Sequence, residues 1–191
     1  MEKQLTFLVE LDKMKNVMRQ TLLADSSRRE SDAEHSWHLA MYAMLLSEHA
    51  DEKIDVDRVI RMTLVHDLIE IYAGDTFCYD AKANEDKADR EKAAADKLYS
   101  LLPKDQADEY RALWEEFDRM DTPDSRFAAA LDRIQPIINN YLTNGHTWKL
   151  GNVTSAQVYK RMDPIRTGFP KLWSVAESIV KASVEKGILK P

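Results

Sequence analysis

Leu5, Leu8, Leu11, Met14, Val17 and Met18 recur at three- and four-residue spacing, which predicts an amphipathic helix over residues 2–24. A polar break follows at Ser26-Ser27-Arg28-Arg29. Ser31 or Asp32 can cap a second helix that carries Ala40, Ala43, Met44 and Leu46 to about residue 50. Asp55 can cap a third, with Val59, Ile60, Met62, Leu64 and Val65, reaching about Tyr72. Gly74 suits its end because glycine takes left-handed backbone angles without steric cost.

Residues 75–81 read as a loop, and a charged helix follows over about 83–102, stopped by Pro103. Tyr110, Leu113, Trp114 and Phe117 mark a helix over 105–119. Thr122-Pro123 opens another that runs to about Leu142, with a kink or break expected at Pro136. Residues 143–151 read as a loop, Thr154 caps a short helix ending near Asp163-Pro164, and a last helix covers about 170–187. The pattern predicts an all-α fold, one compact bundle of about seven or eight helices over residues 1–191.

Composition narrows the class. With five glycines and six prolines in 191 residues there is little material for many turns. The net charge of −6 argues against a general nucleic-acid or membrane-surface binder, which usually displays a basic face. A phosphorylated small molecule stays compatible, since a metal ion and a few local arginines can hold it. Cys78 is the single cysteine, so no internal disulfide forms, and it reads as a small, partly buried side chain beside Phe77 and Tyr79. Neither a signal peptide nor a run of ~20 apolar residues is evident, and a cytoplasmic location is expected.

The candidate chemistry centres on His66-Asp67, with Glu70 one turn along on the same side of the helix. Imidazole and carboxylate together suit a divalent cation, and Glu70 could orient or deprotonate a water. His35 lies in the preceding helix, which packs close if the connection is short. Asp132 sits in the apolar stretch Phe127-Ala128-Ala129-Ala130-Leu131-Asp132-Arg133-Ile134, where a carboxylate is costly unless paired or bound to metal. A salt bridge to Arg133 is the plainer explanation for it. His38 reads as packed or exposed, His49 as solvated, and His146 has no assigned role. Trp37, Trp114, Trp148 and Trp173 read as core or interface residues.

The order His35, His66-Asp67, Asp132 resembles the HD-domain phosphohydrolase superfamily. Ala33-Glu34-His35-Ser36 looks like its first motif, and the run His66-Asp67-Leu68-Ile69-Glu70 to Gly74-Asp75-Thr76 resembles the second motif of its 5′-deoxynucleotidase branch. Glu85-Asp86-Lys87 and Glu91 resemble the charged helix that follows. The resemblance implies an all-helical, usually dimeric enzyme that removes phosphate from deoxynucleoside 5′-monophosphates. It implies His35, His66, Asp67 and Asp132 as ligands of one divalent metal ion (Mn, Co, Fe, Mg or Zn). It also implies Glu70 and Asp75 as catalytic carboxylates, Thr76 lining the site and Arg19 on the phosphate. Arg28 and Arg29 are further phosphate candidates. Branch members often follow the arginine with tryptophan; here Gln20 stands there, and a smaller polar side chain could admit a 2′-hydroxyl. Hydrolysis of another nucleotide, a triphosphate or cyclic one, and a nucleotide-sensing module with little turnover are the alternatives.

Overall fold

Local capping chemistry sets four of the helix starts in the computed structural model, which describes residues 1–191. The Ser31 hydroxyl accepts from the Glu34 amide while the Glu34 carboxylate accepts from the Ser31 amide, a reciprocal cap for the helix that follows. Asp55 caps from its side chain to the Arg58 amide. Thr122 with Ser125, and Thr154 with Gln157, repeat the reciprocal arrangement.

The chain runs α1 (Glu2–Leu11), β1 (Met18–Leu22), β2 (Arg29–Ser31), α2 (Asp32–Leu46), α3 (Val56–Val65), α4 (Glu70–Ala73) and α5 (Lys87–Tyr99). It continues through α6 (Lys104–Arg119), α7 (Pro123–Leu142), α8 (His146–Leu150), α9 (Ser155–Arg161), α10 (Asp163–Gly168) and α11 (Pro170–Glu185). Helices α1, α2, α3, α5, α6, α7 and α11 have ten residues or more, so the all-α architecture holds. No helix is long and apolar enough to cross a membrane.

Helix α7 is the axis of the fold. It packs against α2, α3, α6, α10 and α11, and its inward face buries Phe127, Leu131, Ile134 and Ile137. The same helix buries Asp132, Gln135, Asn139 and Asn140, so polar groups enter the centre along the apolar stripe. One hydrophobic cluster contains both Phe7 and Leu189, joining the two ends of the chain to this axis. At Gly168, where α10 meets α7, a Cβ would lie 2.1 Å from the carbonyl oxygen of Arg126, so only glycine fits.

Five expectations change. The first helix stops at Leu11, and a 3-10 turn over Asp12–Asn16 leads into a strand. Residues 18–22 pair antiparallel with 29–31 in an irregular two-stranded ribbon. The apolar spacing runs on to Met18, but long-range partners decide the backbone there. The Arg29 guanidinium donates to the carbonyl oxygens of Met18 and Arg19, and the Asp32 amide donates to Val17.

The third helix is interrupted at the candidate motif. After Val65 the backbone tightens to three-residue bonds, from the Leu68 amide to Val65 and from the Glu70 amide to Asp67. Gly74 ends the segment at φ +76°, as expected. The charged helix begins only at Lys87, because Asn84 and Arg90 tie residues 73–83 into a folded loop. Arg90 donates to the carbonyls of Ala73 and Ala83 and to the Thr76 hydroxyl. The predicted loop over 143–151 contains the short α8. Pro136 does not break α7, which continues to Leu142; proline removes only the one bond its missing N–H would have made to Asp132.

Candidate functional site

Three elements deliver the central residues. His35 comes from the first turn of α2, His66 and Asp67 from the tightened turn after α3, and Asp132 from the middle of α7. His35 Nε2 lies 2.9 Å from Asp132 Oδ1 and 4.0 Å from Asp67 Oδ2. His66 Nε2 lies 3.1 Å from Asp67 Oδ2 and 3.8 Å from Asp132 Oδ1. All four side chains are buried or nearly so.

The second nitrogen of each histidine is engaged behind the cluster. His66 Nδ1 donates to the Thr63 carbonyl at 2.9 Å, which turns Nε2 inward, and Nε2 has no hydrogen-bond partner. His35 Nδ1 faces Gln135 Oε1 at 3.2 Å, and Gln135 Nε2 in turn donates to Glu30 Oε1 at 2.6 Å. His38 stays behind that amide, 3.5 Å from Gln135 Nε2 and edge-on to the Tyr42 ring.

His35, His66 and Asp132 thus form a group able to hold a metal ion. Donors about 2.0–2.2 Å from one ion stand roughly 3–4 Å from each other, and the separations above match. Two imidazoles and two carboxylates also match the preferences of a divalent transition metal. The electrostatics call for a cation at the same point. Burial works against a charged His66, yet the carboxylates of Asp67 and Asp132 raise its pKa to about 10. Burial, then the Arg19 charge, lowers His35 to about 4, leaving it the neutral donor. Burial opposes ionisation of Asp132, but Arg133 and then the two histidines hold it well below the usual carboxylate range.

A second group lies beside the first. Asp32, Glu70 and Asp75 bring carboxylate oxygens within 4.8 Å of one another. Burial is the main cause of their raised pKa values, followed for Asp32 and Glu70 by the Asp67 charge. Asp32 rises to about 7 and Glu70 goes well above the carboxylate range. Asp75 is also raised by burial, moderated by Arg19. Both oxygens of Asp32 and Oε2 of Glu70 lack hydrogen-bond partners although buried. Carboxyl groups raised in this way are suited to taking and returning protons.

Arg19 reaches in from β1 to bind this acidic wall. Its Nη1 is 3.0 Å from Asp67 Oδ2 and 3.5 Å from Asp32 Oδ1, and its Nε is 3.5 Å from Glu30 Oε2. Burial, relieved mainly by Arg19, raises Glu30 to about 7.

One cleft contains Arg19, His66, Asp67, Glu70, Asp75, Thr76 and Asp132, with Gln20 on its lining. Arg28 and Arg29 lie outside that lining. Arg28 forms a two-pronged pair with the exposed Glu34 carboxylate, and Arg29 is spent on strand carbonyls. Cys78 is exposed on the cleft lining rather than partly buried. Trp148 is core, whereas Trp37 is 61% exposed on α2.

Sequence reasoning missed Asp32, Glu30, Gln135 and Arg161. Asp32 stood beside Ser31 as one of two interchangeable caps. Once Ser31 takes that task, an acid left over at the first helical position, three residues before His35, would have been the signal.

A family model described as HD domain matches residues 11–173. The 5′-deoxynucleotidase HDDC2 of Xenopus laevis is 38% identical over 109 residues, covering 57% of this chain and 53% of that protein. The human 5′-deoxynucleotidase HDDC2 is 33% identical over 111 residues, covering 58% and 53%. The chain spans about half the length of the curated relatives it matches. A crystal structure described as a "Predicted metal-dependent phosphohydrolase" from Magnetospirillum magnetotacticum MS-1 is 52% identical, with a TM-score of 0.95 over 99% of this chain and 95% of that one. With a family model covering most of its length, a matching fold and a histidine–aspartate cluster where helices α2, α3 and α7 meet, the chain belongs to the HD-domain family.

Proposed function

We propose that this protein is a divalent-metal-dependent phosphohydrolase that releases phosphate from nucleoside 5′-monophosphates, deoxy or ribo. In this reading residues 1–191 act as one HD domain, and His35, His66, Asp67 and Asp132 hold a single ion. The observation that carries it is the convergence of His35, His66 and Asp132, with Asp67 Oδ2 3.1 Å from the bare Nε2 of His66, beside a second, partner-poor acidic group. The names of the relatives support the phosphomonoester substrate.

When bound, the metal would supply Lewis-acid chemistry, lowering the pKa of a water and offsetting phosphoryl charge. The protein does the rest. The attacking water bonds to phosphorus as the bond to the 5′ oxygen breaks, giving inorganic phosphate and a nucleoside. Of Glu70 and Asp75, one takes the proton from water and the other returns a proton to the leaving oxygen. His66 and then Arg19 keep Asp67 ionised, Arg19 also aims it, and Thr76 lines the cleft. Tight packing around the cluster limits stray water, which strengthens each charge interaction.

The net charge of −6 and the small cleft support a small-molecule partner over nucleic acid or membrane. The single cysteine supports a cytoplasmic setting. Exposed Trp37, Met44 and Leu45 on α2 support a homodimer.

A phosphate-release screen tests the reading. Ribo- and deoxynucleoside mono- and triphosphates would be offered with Mn²⁺, Co²⁺ or Mg²⁺. Monophosphates are expected to be hydrolysed, with ribo and deoxy forms within about tenfold of each other because Gln20, not an indole, lines the cleft. Release from no monophosphate with any of the three ions would remove the proposal. Strict deoxy selectivity would remove the role given to Gln20.

A further inference from the structure

We infer that Arg133 and Arg161 form an anion subsite that receives the phosphoryl group of the substrate. This rests on the hydrolase reading above and adds to it residues that neither the motif nor the relatives' names assign.

The charge distribution in the cleft motivates it. Asp132 is shared between two environments. Its Oδ1 faces His35 and His66, while its Oδ2 contacts Arg133 Nη1 and lies 3.8 Å from Arg161 Nη2. No other carboxylate lies within 4 Å of either guanidinium. Two positive groups therefore share one oxygen of one acid, whose other oxygen is directed to the metal cluster. The remaining acids, Asp32, Glu70 and Asp75, are answered by Arg19 instead. The cleft is bipolar, with surplus acid beside Arg19 and surplus base beyond Asp132.

The two arginines are also poorly satisfied. Arg133 is only 9% exposed at its side chain, and its Nε is buried with no hydrogen-bond partner. Both guanidiniums lie on the cleft lining with Cys78, Tyr79 and Trp148. Holding two such cations on a single carboxylate oxygen leaves positive charge in excess, and a dianion between them and the metal cluster relieves it. Guanidinium is well suited to this, since its planar fork of N–H groups matches phosphate oxygens.

The other basic candidates are committed elsewhere. Arg19 is among three acids, Arg28 binds Glu34, Arg29 binds backbone, and Lys87 pairs with Glu91 at 3.2 Å. Arg161 comes from the last residue of α9, so the C-terminal helices complete the site rather than merely cover it.

The test uses Arg161→Gln, because Arg161 is 39% exposed and its loss leaves the core untouched. Inorganic phosphate is titrated calorimetrically into the Mn²⁺-loaded full chain, and inhibition by phosphate and KM for a nucleoside monophosphate are measured in parallel. Arg161→Gln is expected to weaken phosphate binding about tenfold or more and to raise KM similarly. Mn²⁺ affinity and circular dichroism stay unchanged, and Arg161→Lys recovers part of the loss. Phosphate affinity within twofold of the parent in Arg161→Gln would overturn the inference. So would a parent that binds no phosphate at millimolar concentration. If the parent hydrolyses nucleotides while phosphate affinity does not respond to Arg161, the subsite fails and the hydrolase stands. If it binds phosphate through Arg161 yet turns over no nucleotide, the reverse holds.

Discussion

Asp67→Ala is expected to abolish both metal binding and turnover, with bound metal falling from about one ion per chain to none and activity by at least about a thousandfold. The reason is the position of Oδ2, which lies 3.1 Å from His66 Nε2, 4.0 Å from His35 Nε2 and 3.0 Å from Arg19 Nη1. Removing it deletes one donor and leaves the neighbouring guanidinium beside the cluster without its closest counter-charge. The substitution also leaves Arg19 with only Glu30 and Asp32, so Asp67→Asn serves as the isosteric companion. It keeps the volume, removes the charge and is expected to lose metal as well. Metal content by mass spectrometry of purified protein, with circular dichroism to report folding, checks both variants. A folded Asp67→Asn that retained stoichiometric metal and full turnover would contradict the account.

Glu70→Gln is expected to do something different. Metal stays bound while turnover falls by about a hundred- to ten-thousandfold, the range general acid–base groups usually contribute. Glu70 stands in the second acidic group, buried, with Oε2 free of partners and its pKa raised by burial and by Asp67, Asp32 and Asp75. Glutamine fills the same space and cannot exchange the proton. Because it also relieves like-charge crowding, the variant should be no less stable than the parent. Turnover within threefold of the parent, with metal retained, would take Glu70 out of the proton-transfer role.

What could be read from the sequence was largely local. Ser31, Asp55, Thr122 and Thr154 announce helix starts because a short polar side chain satisfies the free amides a few atoms away. Gly74 announces an end for an equally local reason. The HD motif was visible because each of its pieces, Glu34-His35-Ser36 and His66-Asp67 through Glu70, is a short contiguous run. The missed features depend on partners far along the chain. The apolar rhythm through Val17 and Met18 suits a helix, and only pairing with residues 29–31 converts the next segment to a strand that lets Arg19 reach Asp67. The broken turn at His66 arises from three-residue bonds that periodicity does not signal. Arg28 and Arg29 looked available because nothing in their neighbourhood named Glu34 or the strand carbonyls as their partners. Arg161 enters the cleft from 29 positions beyond Asp132, a placement only the packing of α9 decides.

The central claim is that four side chains from α2, the turn after α3, and α7 grip one cation. Anomalous diffraction at the manganese edge, from crystals of the full chain grown with Mn²⁺, tests it most directly. The account predicts one strong peak within bonding distance of His35 Nε2, His66 Nε2 and carboxylate oxygens of Asp67 and Asp132. Manganese found only among Asp32, Glu70 and Asp75, or absent while the two imidazoles keep their hydrogen-bonded positions, would contradict it.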